Sequence, residues 1–257
     1  MGVTWIASYP KSGNTWVRFL LAHAMGATLE RVDELGAYIP PIGRVEPDDP
    51  RLEADGGLPV KTHHRLSPEL PLRERTDRAI YVIRDPRDVL LSCIRYMPFR
   101  QAVSDRRVPC ATLPAPRYAR RFVRTGGDPQ WASGAFGTWR ENVESWTEGA
   151  PFPVLTVRYE DLRLNASREL TRMLDFLGWT STPALVRRAV ERSDFERLRA
   201  AEQRRLMARG RPDGVRFFAR GESGQRLDQI EPGLDDFFDD WFGEHAAAYG
   251  YARRLAA

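Results

Sequence analysis

Residues 79–85 read Ala-Ile-Tyr-Val-Ile-Arg-Asp, five apolar positions in a row that turn charged without transition. A strand with one face in water alternates polar and apolar residues. A strand that is apolar on both sides must be covered on both faces, as parallel strands flanked by helices are. Three other stretches share this character. Val3 to Ser8 is short, β-branched and aromatic, and it is stopped by Tyr9-Pro10. "LPVKTHH" (58–64) and "FPVLTVRYED" (152–161) complete the set.

Between these strands the pattern changes to that of helices. The segment 16–25 carries Trp16, Val17, Phe19, Leu20, Leu21 and Ala24, and "DPRDVLLSCIRYM" follows the strand at 79–85 directly. In 136–148, Trp139, Val143 and Trp146 share one face, and in "SRELTRMLDFLGW" Ser167 caps the start and Gly178 marks the stop. Residues 183–208 and 235–251 are also expected to be helical. Strands alternating with helices predict an α/β fold, a three-layer sandwich around a central parallel sheet.

The 257 residues fit a single domain spanning 1–257, and 42% hydrophobic with 29% charged residues places the chain among globular proteins. No 18-residue apolar run is present, so no membrane span is expected, and the N-terminus enters a core strand directly. The formal charge of +4 is mild and its arginines are interspersed with acids, which argues against nucleic acid as a partner. Cys93 and Cys110 form no paired metal or redox spacing, no metal site is expected, and a reducing cytoplasm fits best. Residues 26–57 read as an irregular excursion. Residues 98–135, rich in Arg, Pro and Gly and without clear periodicity, read as a long cap or mobile segment.

The strand at 3–8 runs into "SYPKSGNTW", a strand–loop–helix arrangement with Lys-Ser-Gly at its centre. Backbone N–H groups and the positive end of a helix dipole converge on an anion in such a loop. It lacks the glycines of a Walker A sequence. Lys11 is one of only two lysines, the other being Lys61, while 37 of the 39 basic residues are arginine. A lysine retained against that background belongs where a planar guanidinium cannot replace a compact ammonium. Lys61 stands in "VKTHH", at the carboxyl end of another strand, which is where open α/β sheets bind ligands.

These segments resemble the cytosolic-type sulfotransferases, which use 3′-phosphoadenosine 5′-phosphosulfate (PAPS). "YPKSGNTW" is similar to their 5′-phosphosulfate loop, "YVIRDPRDVLLS" to their 3′-phosphate segment, and "VKTHH" to their Lys-Thr-His stretch. "GTWRENVESW", "VRYEDLRLNASRELTRMLDFLG" and "RFFARGESG" match further family segments in order. The opening "WIASYPKSGNTW" looks particularly like bacterial antibiotic-tailoring members of glycopeptide type. The late loop departs from the family: Ala219 stands where a basic residue is common, and Gly224-Gln225-Arg226-Leu227 replaces Gly-x-Trp-Lys.

The resemblance implies a sulfuryl transfer from PAPS to a hydroxyl of a small-molecule acceptor, without a metal. It implies His63 as base, with Lys11 and Lys61 at the bridging and sulfuryl oxygens. Imidazole titrates near neutrality, which suits the base. Ser12, Gly13, Asn14 and Thr15 would cradle the 5′ end, and Arg84 and Ser92 the 3′-phosphate. Trp16, Tyr159 and Phe195 would lie near the purine, with Ser193, Arg220 and Gly221 as further nucleotide contacts. His64, on the opposite face of an extended strand, is expected to be structural, as are His23 and His245. Two other classes compete: a nucleotide-dependent kinase, and a nucleotide-binding protein without catalysis. The sequence leaves the oligomeric state open.

Overall fold

The computed structural model describes residues 2–54, 56–103, 113–210, 216–218 and 221–253. Four strands, β1 (Val3–Ser8), β2 (Leu58–Thr62), β3 (Thr76–Ile83) and β4 (Val154–Arg158), form one sheet in the order β2-β1-β3-β4. Every pairing is parallel, with Trp5 opposite Val60 on one side and Ala79 on the other.

The apolar runs are explained by what each face meets. Val3, Trp5 and Ala7 of β1 and Ala79, Tyr81 and Ile83 of β3 point into one core. Ile6, Ile80 and Val82 point into the other. Over the first face pack α2 (Pro86–Val103), α3 (Ala115–Thr125), the short α4 (Pro129–Ala132), α5 (Trp139–Thr147) and α10 (Leu234–Ala248). Over the second lie α1 (Asn14–Ala24), α6 (Tyr159–Leu164), α7 (Ala166–Leu177) and α8 (Pro183–Arg192). A smaller cluster joins Phe19 and Ala22 of α1 to Leu198 of α9 (Phe195–Ala208) and to Phe218. The result is the expected three-layer arrangement with two cores.

Several local expectations are corrected. The cap of α7 is Asn165, whose side chain accepts from the Arg168 N–H, so Ser167 lies inside the helix. Gly178 does end α7, in a left-handed conformation with φ 72°. The helical stretch 183–208 breaks at Ser193-Asp194, where the Asp194 carboxylate starts α9 by accepting from Arg197. The reading of 98–135 as a stretch without helical period is also corrected, in part. Residues 115–125 form an amphipathic helix that buries Tyr118, Ala119, Phe122 and Val123 in the first core. Frequent arginines on the outer face obscure that period in the sequence. Residues 104–112, with Cys110, lie outside the described residues. Cys93 is fully buried, and burial pushes its thiol up to about 12. No helix among the described residues is long and apolar enough to cross a membrane.

Candidate active site

The carboxyl ends of β1, β2 and β3 open into a cavity of about 440 Å³. The loop after β1 enters it in an unusual conformation, with Lys11 at φ 70° and Gly13 at φ 104°. Only glycine fits at the second position, because a Cβ there would stand 2.5 Å from the Tyr159 ring. Helix α1 follows with no side-chain cap and no acid in its first turn. Its N–H groups and dipole therefore remain available to an anion. Ser12 Oγ is buried without a hydrogen-bond partner beside them. The donor set, the orphaned hydroxyl and a cradle that a Cβ would fill all suit a phosphate-type ligand.

Lys11 and Lys61 both line the cavity. The Lys11 ammonium lies 3.7 Å from the Tyr96 ring centroid and 4.9 Å from that of Phe217. Removal from water lowers Lys11 to about 8; the nearby Cys93 opposes this and Arg84 adds to it. Burial likewise lowers Lys61 to about 8, with Arg18 contributing. Neither lysine is engaged by a carboxylate among the described ion pairs.

His63 follows β2 and lines the same cavity. Its Nδ1 is 2.9 Å from the Ser8 carbonyl, which can only accept, so Nδ1 carries the proton and Nε2 is left basic. The Ser8 hydroxyl stands 3.2 Å from the same nitrogen. Asn142 of α5 donates to the His63 carbonyl (2.9 Å) and accepts from the Tyr81 hydroxyl (2.8 Å), fixing the backbone that carries the imidazole. Burial first, then the Lys61 charge, hold His63 well below the usual imidazole value. His64 is turned elsewhere: its ring tilts against Phe136 and its carbonyl accepts from Trp146.

Arg84, at the end of β3, is buried and donates to the carbonyls of Lys11 (3.0 Å) and Glu222 (2.6 Å). Its guanidinium lies 4.2 Å from the Tyr159 ring centroid and its Nε has no hydrogen-bond partner. Ser92, two turns into α2, lines the cavity with it. Trp16, Tyr159, Phe195 and Gly221 also line the cavity, with Tyr159 beside Arg84. Tyr159 donates to the Gly221 carbonyl (3.0 Å), and Gly221 lies so close to Phe195 that a Cβ would meet its ring at 2.9 Å.

Other expected contacts are met in part. Asn14 lines the cavity as expected, and its amide also braces β1 by donating to Ile6 O (2.9 Å) and Ser8 Oγ (3.3 Å). Ser193 is fully buried and does not line the cavity. Its hydroxyl meets His23 (2.8 Å), while its carbonyl accepts from the Trp16 indole (2.9 Å). It acts on the site through Trp16. Thr15 lines the cavity as expected. Arg220, like Ala219, lies outside the described residues. The break in the late loop is absorbed by Asp88, whose carboxylate accepts from the N–H groups of Gly224 (2.8 Å) and Gln225 (3.1 Å).

Sequence reasoning did not find Arg18, Tyr96, Arg100, Trp131 or Phe136, all of which line the cavity, nor the bracing by Asn142. Asn142 could have been suspected, since it is a polar residue on the buried face defined by Trp139 and Trp146. The aromatic lining residues carry no such signal. Among the described residues, no group of three or more His, Cys, Asp or Glu side chains is arranged to hold a metal ion.

Comparison with known proteins supplies the family. Among curated proteins, Sulfotransferase 1A1 of Rattus norvegicus is 28% identical over 205 residues, covering 76% of this chain and 66% of the relative. Sulfotransferase 1E1 of Bos taurus is 24% identical over 258 residues, covering 91% and 80%. The match to the first of these spans slightly under two thirds of its length. Among solved structures, mouse sulfotransferase SULT7A1 complexed with PAP aligns with a TM-score of 0.65 at 19% identity, covering 95% of this chain and 83% of that one. Retinol dehydratase in complex with androsterone and PAP aligns with a TM-score of 0.67 at 16% identity, covering 99% and 82%. These two show a shared fold. The sulfotransferase domain profile matches residues 2–250, nearly the whole chain, and on that match the chain belongs to the sulfotransferase domain family.

Proposed function

We propose that this protein transfers the sulfuryl group of PAPS to the hydroxyl of a small-molecule acceptor. The observation that carries the reading is His63: its Nδ1 is tied to the Ser8 carbonyl at 2.9 Å, and its ring faces the cavity that Lys11, Lys61 and Arg84 also line. In this reading Nε2 takes the acceptor proton, and lowering by burial keeps the imidazole neutral and ready at pH 7. Lys11 and Lys61 offset charge on the oxygens around the transferred group, as cations do for loose phosphoryl-type transfers. Arg84 and Ser92 hold the 3′-phosphate, and the open end of α1 with Ser12, Gly13 and Thr15 holds the 5′ side. Trp16, Tyr159 and Phe195 flank the purine, and Gly221 and Arg220 are read as further nucleotide contacts. PAPS supplies the activated sulfuryl group, and the protein positions the two reactants.

Residues 1–257 are read as one such domain. The segment 98–135 is read as the cap on the acceptor side, a reading supported by Arg100 and Trp131, which line the cavity. The resemblance of residues 5–16 extends the proposal to a bacterial tailoring enzyme of the cytoplasm that sulfates a secondary metabolite; screening acceptors with mass-tagged PAPS tests that extension.

Calorimetric titration with adenosine 3′,5′-bisphosphate (PAP) and with ATP, each with and without Mg²⁺, tests the core of the proposal. PAP should bind without Mg²⁺ and more tightly than ATP. Mg²⁺-dependent preference for ATP would favour a kinase. Tight PAP binding with no sulfuryl transfer to any acceptor would leave a binding protein.

A further inference from the structure

Six cationic side chains line the cavity, Lys11, Arg18, Lys61, Arg84, Arg95 and Arg100, and no carboxylate lines it among the described residues. Most are accounted for. Lys11 and Arg84 belong to the phosphate-loop side, Arg95 reaches Gln225, and Arg100 is paired with Asp128 at 3.0 Å. Arg18 differs. It projects from α1 one turn beyond the loop and is only 7% exposed. Its one hydrogen bond among the described contacts is to the Ile39 carbonyl (2.7 Å), its Nε is buried without a partner, and no carboxylate forms an ion pair with it among the described residues. Desolvation lowers it only to about 10, so it is charged at neutral pH.

Lys61 is fastened to the same stretch of chain. Its N–H donates to the Pro40 carbonyl (2.8 Å), and it forms a bridge with Pro41. Held to Ile39 and Pro40, Arg18 and Lys61 stand together at the β2 edge of the cavity, and their charges, like that of Lys11, depress His63. Lys11 and Arg84 make the second cationic grouping, on the β3 side. A buried guanidinium lacking both counter-ion and full hydrogen bonding costs free energy that a bound anion would recover.

Resting on the sulfotransferase reading, we propose that Arg18 recognises an oxyanion on the acceptor, so that the substrate is a hydroxyl compound that also bears a carboxylate or a phosphate-type group. The donor's about four negative charges are met by Lys11, Lys61, Arg84 and Arg220 in that reading, which leaves the Arg18 charge for the second substrate. Phe136, edge-on to His63, and Trp131 beside it would hold an apolar body.

The test is binding of four matched phenols to the PAP-loaded protein: 4-hydroxyphenylacetate, 4-hydroxybenzylphosphonate, neutral 4-ethylphenol and cationic tyramine. At least one anionic phenol should bind about tenfold or more tightly than 4-ethylphenol, with tyramine weakest. The carboxylate and phosphonate arms identify the preferred oxyanion. Arg18→Leu should remove the preference while PAP affinity stays within about twofold, and Arg18→Lys should restore part of it. Equal binding of anionic and neutral phenols to the wild-type protein, or binding of none, overturns the proposal without any variant. If Arg18→Leu lowers PAP affinity as much as acceptor affinity, Arg18 serves the donor and the proposal also fails. Failure of PAP to bind would instead strike the sulfotransferase reading, and the phenol comparison can still be made on the nucleotide-free protein.

Discussion

The two strand-to-helix junctions that frame the cavity use their helix starts in opposite ways. At the β1–α1 junction the chain makes a loop through left-handed Lys11 and Gly13, and α1 begins with no side-chain cap and no acid. At the β3–α2 junction Asp85 caps the helix by accepting from the Arg87 N–H (2.8 Å), and Asp88 in the first turn holds the late loop. The positive end of α1 is left for a ligand, whereas that of α2 is met by the protein's own carboxylates. What the second junction can offer an anion comes from side chains, Arg84 and Ser92. One junction binds through backbone and dipole, the other through a guanidinium fork.

The largest expected effect leaves both junctions intact. His63→Ala should lower turnover by about 10²–10⁴-fold with PAP affinity unchanged. A parallel loss of PAP affinity would mean that His63 supports the β1 junction through Ser8 rather than reacting. Next, Lys11→Arg and Lys11→Ala should each lower turnover by about 10²–10³-fold, because a guanidinium cannot take the place of the ammonium within the loop. Near-normal turnover of the arginine variant would break the argument from lysine scarcity.

Arg84→Gln should weaken PAP by about tenfold to a hundredfold and leave adenosine 5′-phosphate, which lacks the 3′ group, almost unaffected. Equal losses for the two nucleotides would erase the distinction between the junctions. A pH series reads the lysines directly. With both lowered to about 8 in the free protein, they lose protons above that pH, while a bound anion favours the ammonium form. PAP binding should therefore take up protons at Lys11 and weaken as pH rises, by at most about tenfold between pH 7 and 9, since PAP lacks the sulfuryl group that Lys61 faces. Calorimetry in buffers of different ionisation enthalpy would detect the uptake, and pH-independent affinity would remove Lys11 from the phosphate contacts. The smallest effect is at the capped junction. Asp85→Ala should cost about 1 kcal/mol of stability in urea denaturation, with PAP affinity changed far less than by Arg84→Gln.

The sequence by itself determined the layered α/β architecture, because buried parallel strands must be apolar on both faces and the runs at 3–8 and 79–83 are. It also singled out Lys11 and Lys61, the only two lysines and both at strand ends, whereas His63 and Arg84 were singled out by the resemblance to the sulfotransferase family. Tertiary structure decided the rest. The helix at 115–125 was hidden by arginines on its outer face, and its burial depends on α10 and α2 being in place. Ser193 sits at a ligand-like position in the chain, yet packing turns its hydroxyl onto His23 and keeps it out of the cavity lining. The aromatic wall and the pairing of Arg18 with Lys61 join residues from separate elements. No local pattern encodes such contacts, because they exist only when the chain between them has folded.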